Sequence, residues 1–234
     1  MNRRFLAIAQ DPSIIHGVHH FCDEWCDYCP ITSRCLGFLC TAAFRKERGR
    51  RKGDPTFTST REAAEFTREL CLIDGSSTEE LDTLLASPPG ASGLETNDPL
   101  ASVAWQYAID TAMAFEAETI ALMTDGPLRG GRPTDEEVVL WHHLRIYFRV
   151  TRALVSAQRA HQQPRLVEDA NGCAKLVLVS IERSRAALLS LRTSGRMQEI
   201  DDLLATLGTL QSGLEEKFPD ASRYIRVGLD CPVA

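Results

Sequence analysis

From Asp98 to Pro219 the chain is written in long segments of helical period, each closed by a helix breaker, and this pattern confines it to an all-α fold. Asp98-Pro99 is an N-cap with proline at the first helical position. Leu100, Val103, Tyr107, Thr111, Phe115 and Leu122 follow at helical spacing and predict a helix to about Thr124. Thr134 and Glu137 have capping-box spacing, in which a hydroxyl and a carboxylate satisfy each other's free backbone amides. They open a helix through Trp141, Leu144, Phe148 and Val155 to about Ala160, broken at Gln163-Pro164. Another helix is expected over 168–193, closed by Gly195. A last one runs from Met197 to about Lys217, with Ile200, Leu203, Leu204, Leu207 and Leu210 on one face.

Upstream, Ser59 with Glu62 and Ser77 with Glu80 repeat the capping device and predict two short helices. The first ends near Asp74-Gly75 and the second at Ser87-Pro88-Pro89-Gly90; residues 87–98 read as a linker. The tail RYIRVGLDCPVA reads as extended and docked on the bundle. The expected architecture is an antiparallel helical bundle over 55–234, preceded by an N-terminal cysteine-rich metal-binding module with a basic tail over 1–54.

Five of the eight cysteines lie in FCDEWCDYCPITSRCLGFLC, spaced Cys22-x3-Cys26-x2-Cys29-x5-Cys35-x4-Cys40. The segment PSIIHGVHHFCDEWC is expected to be helical, which would put Cys22 and Cys26 one turn apart on one face, with His19 on the same face. Pro30 then turns the chain out of helix, so that Cys29 and Cys35 fold back towards them. Clustered thiolates are soft ligands that select zinc, copper(I) or iron–sulfur clusters. Structural zinc usually draws two ligand pairs from distant segments, whereas four ligands in one short run suit an iron–sulfur cube. A [4Fe–4S] cluster on Cys22, Cys26, Cys29 and Cys35 is the first expectation and one zinc ion the second. Phe21, Trp25, Tyr28, Leu36 and Phe38 are candidates for its apolar jacket. His16, His19 and His20 read as surface groups or as groups supporting the ligands, with His19 or Cys40 as possible replacement ligands. Cys71, Cys173 and Cys231 are isolated and read as small buried hydrophobes.

Composition narrows the function classes. The net charge of -6 argues against whole-surface binding to nucleic acid or to acidic membranes. Charge is uneven: residues 1–54 hold nine Lys/Arg against six Asp/Glu, a net +3, and the rest hold 17 against 26, a net -9. The basic run Arg45 to Lys52 could grip phosphates, but it has no interleaved aromatics and reads first as a solvated loop. The apolar start FLAIA is too short for a secretory segment, and no apolar run approaches the roughly 20 residues of a membrane span. A cytoplasmic protein is expected, and in a reducing compartment clustered cysteines are ligands or redox groups before they are disulfides.

Polar residues also interrupt the bundle's apolar stripes. Glu118 lies between Phe115 and Leu122, and His142 and His143 follow Trp141. No Glu-x-x-His pair accompanies them, as a di-iron site would need. Asp169 or Asn171 is expected to cap a helix, with Lys175 pairing Glu182 or Glu118 across helices. Together Asp169, Lys175 and Glu182 are a candidate pocket lining. No P-loop, nucleophile elbow or zinc-protease motif is present in the sequence.

Cys22-x3-Cys26-x2-Cys29, with Tyr28 before the third cysteine, resembles the radical S-adenosylmethionine motif over eight residues. That family's barrel needs alternating strands and helices, which this pattern does not offer. A fourth ligand at Cys35 would also fill the open iron. Three stretches, CDEWCDYCPITSRC, DANGCAKLVLVSIERS and FPDASRYIRVGLD, together resemble an uncharacterised bacterial helical protein family with the motif C-D-x-W-C-x-x-C-x-x-T-x-R-C. The resemblance implies that Cys22, Cys26, Cys29 and Cys35 act as a unit and leaves Cys40 outside it; no activity comes with it.

The sequence therefore predicts a metal-binding helical protein with a redox or electron-transfer role and a redox or protein partner. A zinc-stabilised interaction module is the alternative, and nucleic-acid binding through 45–52 a weaker one. Whether the chain is an enzyme, its pathway and its oligomeric state are not legible.

Overall fold

A computed structural model describes residues 2–51, 54–75, 78, 82, 97–116, 118, 132–192 and 197–230. Among these residues the architecture is all-helical, with seven α-helices and no strand. In chain order they are α1 (Arg3–Ala9), α2 (Leu36–Glu47), α3 (Thr60–Asp74), α4 (Pro99–Ala114), α5 (Asp135–Arg159), α6 (Leu166–Leu191) and α7 (Met197–Lys217). The chain forms two compact units, one of Met1–Gly93 with Ile225–Ala234, the other of Leu94–Tyr224.

The second unit is a four-helix bundle. The expected caps set its elements: the Asp98 side chain accepts the Leu100 amide, and Thr134 and Glu137 complete a reciprocal capping box. The register of cross-helix contacts is antiparallel. Asp169 near the start of α6 meets Arg152 and Ser156 near the end of α5, and Arg185 of α6 bonds Gln211 of α7. Lys217 at the end of α7 returns to Asp98 at the start of α4. Tyr107, Ile146, Val150, Val177, Leu188, Leu207, Leu210 and Leu214 fill the core with essentially no exposure.

Several expectations are corrected here. α4 breaks at Ala114, because Phe115 leaves helical backbone at φ -119°; Glu116 and Glu118 are helical again, and 119–124 lie outside the described residues. Neither Asp169 nor Asn171 caps α6, which starts earlier, at Leu166. Asp169 instead takes two bonds from Arg152, at 2.6 and 3.1 Å, and one from the Ser156 hydroxyl. Lys175 donates to the carbonyl of Ser222 at 2.9 Å, satisfying a backbone acceptor that water would otherwise have to serve. The second short helix expected from Ser77, the Gly195 closure and Cys231 lie outside the described residues.

The first unit packs α1, α2 and α3 around Phe5, Leu36, Cys40, Phe44, Phe66 and Leu70. Phe66 meets Phe5 edge-on at 5.5 Å and Phe44 at 5.2 Å, a favoured geometry for ring quadrupoles. α3 therefore shares a core with the cysteine module, so an organisational boundary at 54/55 falls inside this unit. The tail divides: Tyr224 bonds Glu168 of the bundle, whereas Leu229 packs on Ile15, Val18 and Cys35, and Gly228 at φ +71° lies against Ile15 and Val18. A Cβ there would stand 3.0 Å from Ile15, so glycine answers both the backbone angle and the space.

Candidate metal centre

The approach to the cysteines is a chain of turns rather than a helix. Asp11 accepts the amide and hydroxyl of Ser13, Gly17 sits at φ +75°, and Glu24 at φ +59°. These left-handed residues break the helical register between 13 and 25, so Cys22 and Cys26 do not share a helix face, and neither do His19 and Cys22. Two short 3-10 turns follow, Cys26–Tyr28 and Thr32–Arg34. Each is closed by a cysteine, with the Cys29 amide on the Cys26 carbonyl and the Cys35 amide on the Thr32 carbonyl. Cys35 is also the residue from which α2 starts, and the neighbouring Arg34 carbonyl accepts the Ile15 amide at 2.8 Å.

The two turns bring the four motif cysteines into one electrostatic neighbourhood. Cys26 feels Cys22, Cys35 and Cys29, and Cys35 in turn feels Cys29. Burial pushes the Cys22 thiol up to about 11 and Cys26 up to about 12. Cys35 is also raised by burial, while the amides of Phe38 and Gly37, at the N-terminus of α2, donate to its sulfur and work the other way. The Glu24 amide donates to the sulfur of Cys22. Trp25 is buried and meets Tyr28 edge-on at 4.9 Å, and Ile31 packs with Ile15, Val18 and Cys35. The expected jacket is thus partly present; Phe38 is exposed and Leu36 belongs to the neighbouring core. Cys40 points into that core with no exposure and Cys173 is fully buried in the bundle, whereas Cys71 is only partly buried.

The donor set fits a thiolate-bound centre. Amides aimed at sulfur stabilise thiolate, and they are among the features that tune iron–sulfur potentials. A single tetrahedral zinc at about 2.3 Å from each sulfur would hold the sulfurs about 3.8 Å apart. Among the described residues, the group of three ligand atoms mutually within 4.8 Å is His19, His20 and Asp74, not a set of these sulfurs.

The three histidines converge on Asp74, His16 from an exposed position and His19 and His20 from half-buried ones. His16 Nδ1 lies 2.9 Å from Asp74 Oδ1, and its Nε2 3.1 Å from the carbonyl of Ala9. His19 Nε2 and His20 Nε2 stand 3.6 and 3.2 Å from Asp74 Oδ2. Burial, and then the neighbouring His20, pull His19 down to about 4. Sequence reasoning took Asp74 only as the end of a helix. The spacing of His16, His19 and His20 was visible, but nothing local said which distant carboxylate they face.

The basic run is largely tied down. Arg45 donates to the carbonyls of Asp54 and Arg51 and to the Thr56 hydroxyl, and Arg50 makes a two-pronged pair with Glu62 of α3 at 2.7 and 2.9 Å. No described helix is long and apolar enough to cross a membrane.

Comparison with family models, with curated proteins and with solved structures returned no match. The bacterial family of the cysteine motif therefore rests on the quoted residues alone. What the fold and the site define is a class: an all-helical protein with a cysteine-rich N-terminal unit.

Proposed function

We propose that Cys22, Cys26, Cys29 and Cys35 hold a [4Fe–4S] cluster, and that the protein serves a redox or electron-transfer role in the cytoplasm. The observation that supports this reading is the pair of 3-10 turns closed by Cys29 and Cys35, which return these two thiols to the electrostatic neighbourhood of Cys26 and Cys22. Glu24 adopts a left-handed backbone that costs a residue with a side chain roughly 1 kcal/mol or more. Such strain persists where surrounding interactions demand it, and it stands next to a ligand here. When bound, the cluster would supply one-electron chemistry. The chain's own part is to orient four thiolates, donate to two of them, and screen one side with Trp25, Ile15, Val18 and Ile31.

The test is a visible spectrum with metal analysis on protein purified without oxygen. Brown protein with about four irons per chain, bleaching on reduction, is the expected result. Colourless protein with one zinc would overturn the redox role and make the centre a staple that contributes folding free energy to an interaction module. Nucleic-acid binding ranks lower, because Arg45 and Arg50 already spend their donors inside the unit.

A further inference from the structure

We propose that His19, His20 and Asp74 form a second, separate site for a single divalent transition-metal ion, with His16 as the group that orients the carboxylate. One ligand atom from each of the three lies within 4.8 Å of the others. An ion about 2.1 Å from nitrogen and oxygen ligands in tetrahedral array sets them about 3.4 Å apart. The two imidazole-to-carboxylate distances, 3.2 and 3.6 Å, bracket that value. Two imidazoles and a carboxylate suit zinc, iron(II) or nickel rather than magnesium or calcium.

The surroundings support a ligand role over a plain hydrogen-bond hub. The Asp74 side chain is 3% exposed, and its Oδ2 accepts no well-aligned hydrogen bond, although both Nε2 atoms converge on it. A cation at the point where the three atoms converge would hold this buried oxygen better than the poorly aligned rings at 3.2 and 3.6 Å do. His16 holds the other oxygen, Oδ1, at 2.9 Å, the arrangement by which an outer group fixes a metal-binding carboxylate. The ring of His20 is a third exposed, which leaves an ion and added water or substrate a path from solvent. The site is built from two segments that meet only in the tertiary fold: the turn at 16–20 and the last residue of α3.

The proposal does not depend on what the cysteines hold. The test uses the full chain and zinc as the probe, by calorimetric titration, with cobalt(II) as a spectroscopic substitute. Wild-type protein should take one zinc ion beyond its cysteine-bound metal. The cobalt form of that extra site should show weak ligand-field bands without the intense sulfur-to-cobalt absorption of thiolate ligation. His20→Gln and Asp74→Asn should each weaken the zinc site at least about tenfold, since losing even an orienting group at a metal site costs 10–100-fold. Iron content should not change in either variant. The exposed His161, in the other unit, serves as control through His161→Gln. Should Asp74→Asn fail to fold, His20→Gln decides alone, as this ring is the more exposed of the two Nε2 donors. Zinc affinity equal to wild type in His20→Gln, or extra cobalt seen only with thiolate absorption, would overturn the site. Wild-type protein that carries no iron yet still takes the extra zinc would sink the cluster and leave this site standing.

Discussion

Gly37, in the first turn of α2, lies directly beneath the ring of His19: a Cβ at this position would stand 2.9 Å from both Cβ and Cγ of His19. Those atoms belong to the root of the side chain and cannot swing aside. Gly37→Ala should therefore displace either the histidine turn or α2. Overpacking of this kind costs about 1–3 kcal/mol, against a helix-propensity gain of at most about 1 kcal/mol. A lower denaturation midpoint and weaker zinc binding are expected together. Unchanged values for both would show that the turn repacks freely.

Cys22→Ser, Cys26→Ser, Cys29→Ser and Cys35→Ser should each sharply reduce the iron that co-purifies with the chain. Cys40→Ala and Cys173→Ala should keep it, because Cys40 packs in the core with Phe5, Phe44 and Phe66 and Cys173 is buried in the other unit. Each of these two should lose about 1 kcal/mol of stability for the atoms removed. Metal analysis beside thermal melts separates the two groups; iron lost from Cys40→Ala would move that residue into the ligand set.

Asp98 combines a helix cap with an ion pair: its carboxylate accepts the Leu100 amide at 2.9 Å and meets Lys217 Nζ at 2.9 Å. Burial alone would raise its pKa, but Lys217 and the Leu100 amide outweigh it and hold it below the usual range. Because the folded value is depressed, the stabilisation is present above the unfolded value, near 4, and is lost as pH falls through the folded one. Asp98→Ala should cost about 1–2 kcal/mol at pH 7. The gap between variant and wild type should narrow as pH is lowered below about 4. Urea midpoints across that range check the sign; a gap that widens on acidification would refute it.

Asp169 holds Arg152 and Ser156 from the facing end of α5. Asp169→Ala should cost about 1.5–3 kcal/mol, the range for hydrogen bonds to a charged group. Arg152→Ala, whose side chain is nearly half exposed, should cost less. A double-mutant cycle on thermal melts gives the coupling, and independent effects of the two substitutions would mean that the pair contributes nothing to the α5–α6 hairpin.

The bundle was legible because its signals are local. Asp98-Pro99 and the Thr134–Glu137 box satisfy backbone groups of their own helices, so they mark the same boundaries in the sequence and in the fold. The clustering of the cysteines and the helix ending at Asp74 were legible for the same reason. The path into the cysteines was not. Its residues alternate between helical and left-handed backbone at Gly17 and Glu24, and only contacts with α2 and with the tail around Leu229 decide that choice. Asp169 and Lys175 found partners that spacing did not suggest, since a charged side chain pairs with whatever the packing brings within reach. Sequence alone thus determined the helices of the bundle and α3, and the crowding of five thiols into one short run. Tertiary structure decided that α3 and the tail around Leu229 pack with the cysteine unit, and that Asp74 returns to three histidines more than fifty residues before it. No local rule encodes that meeting, because the free energy that fixes it comes from burying Phe5, Phe44 and Phe66 in one core.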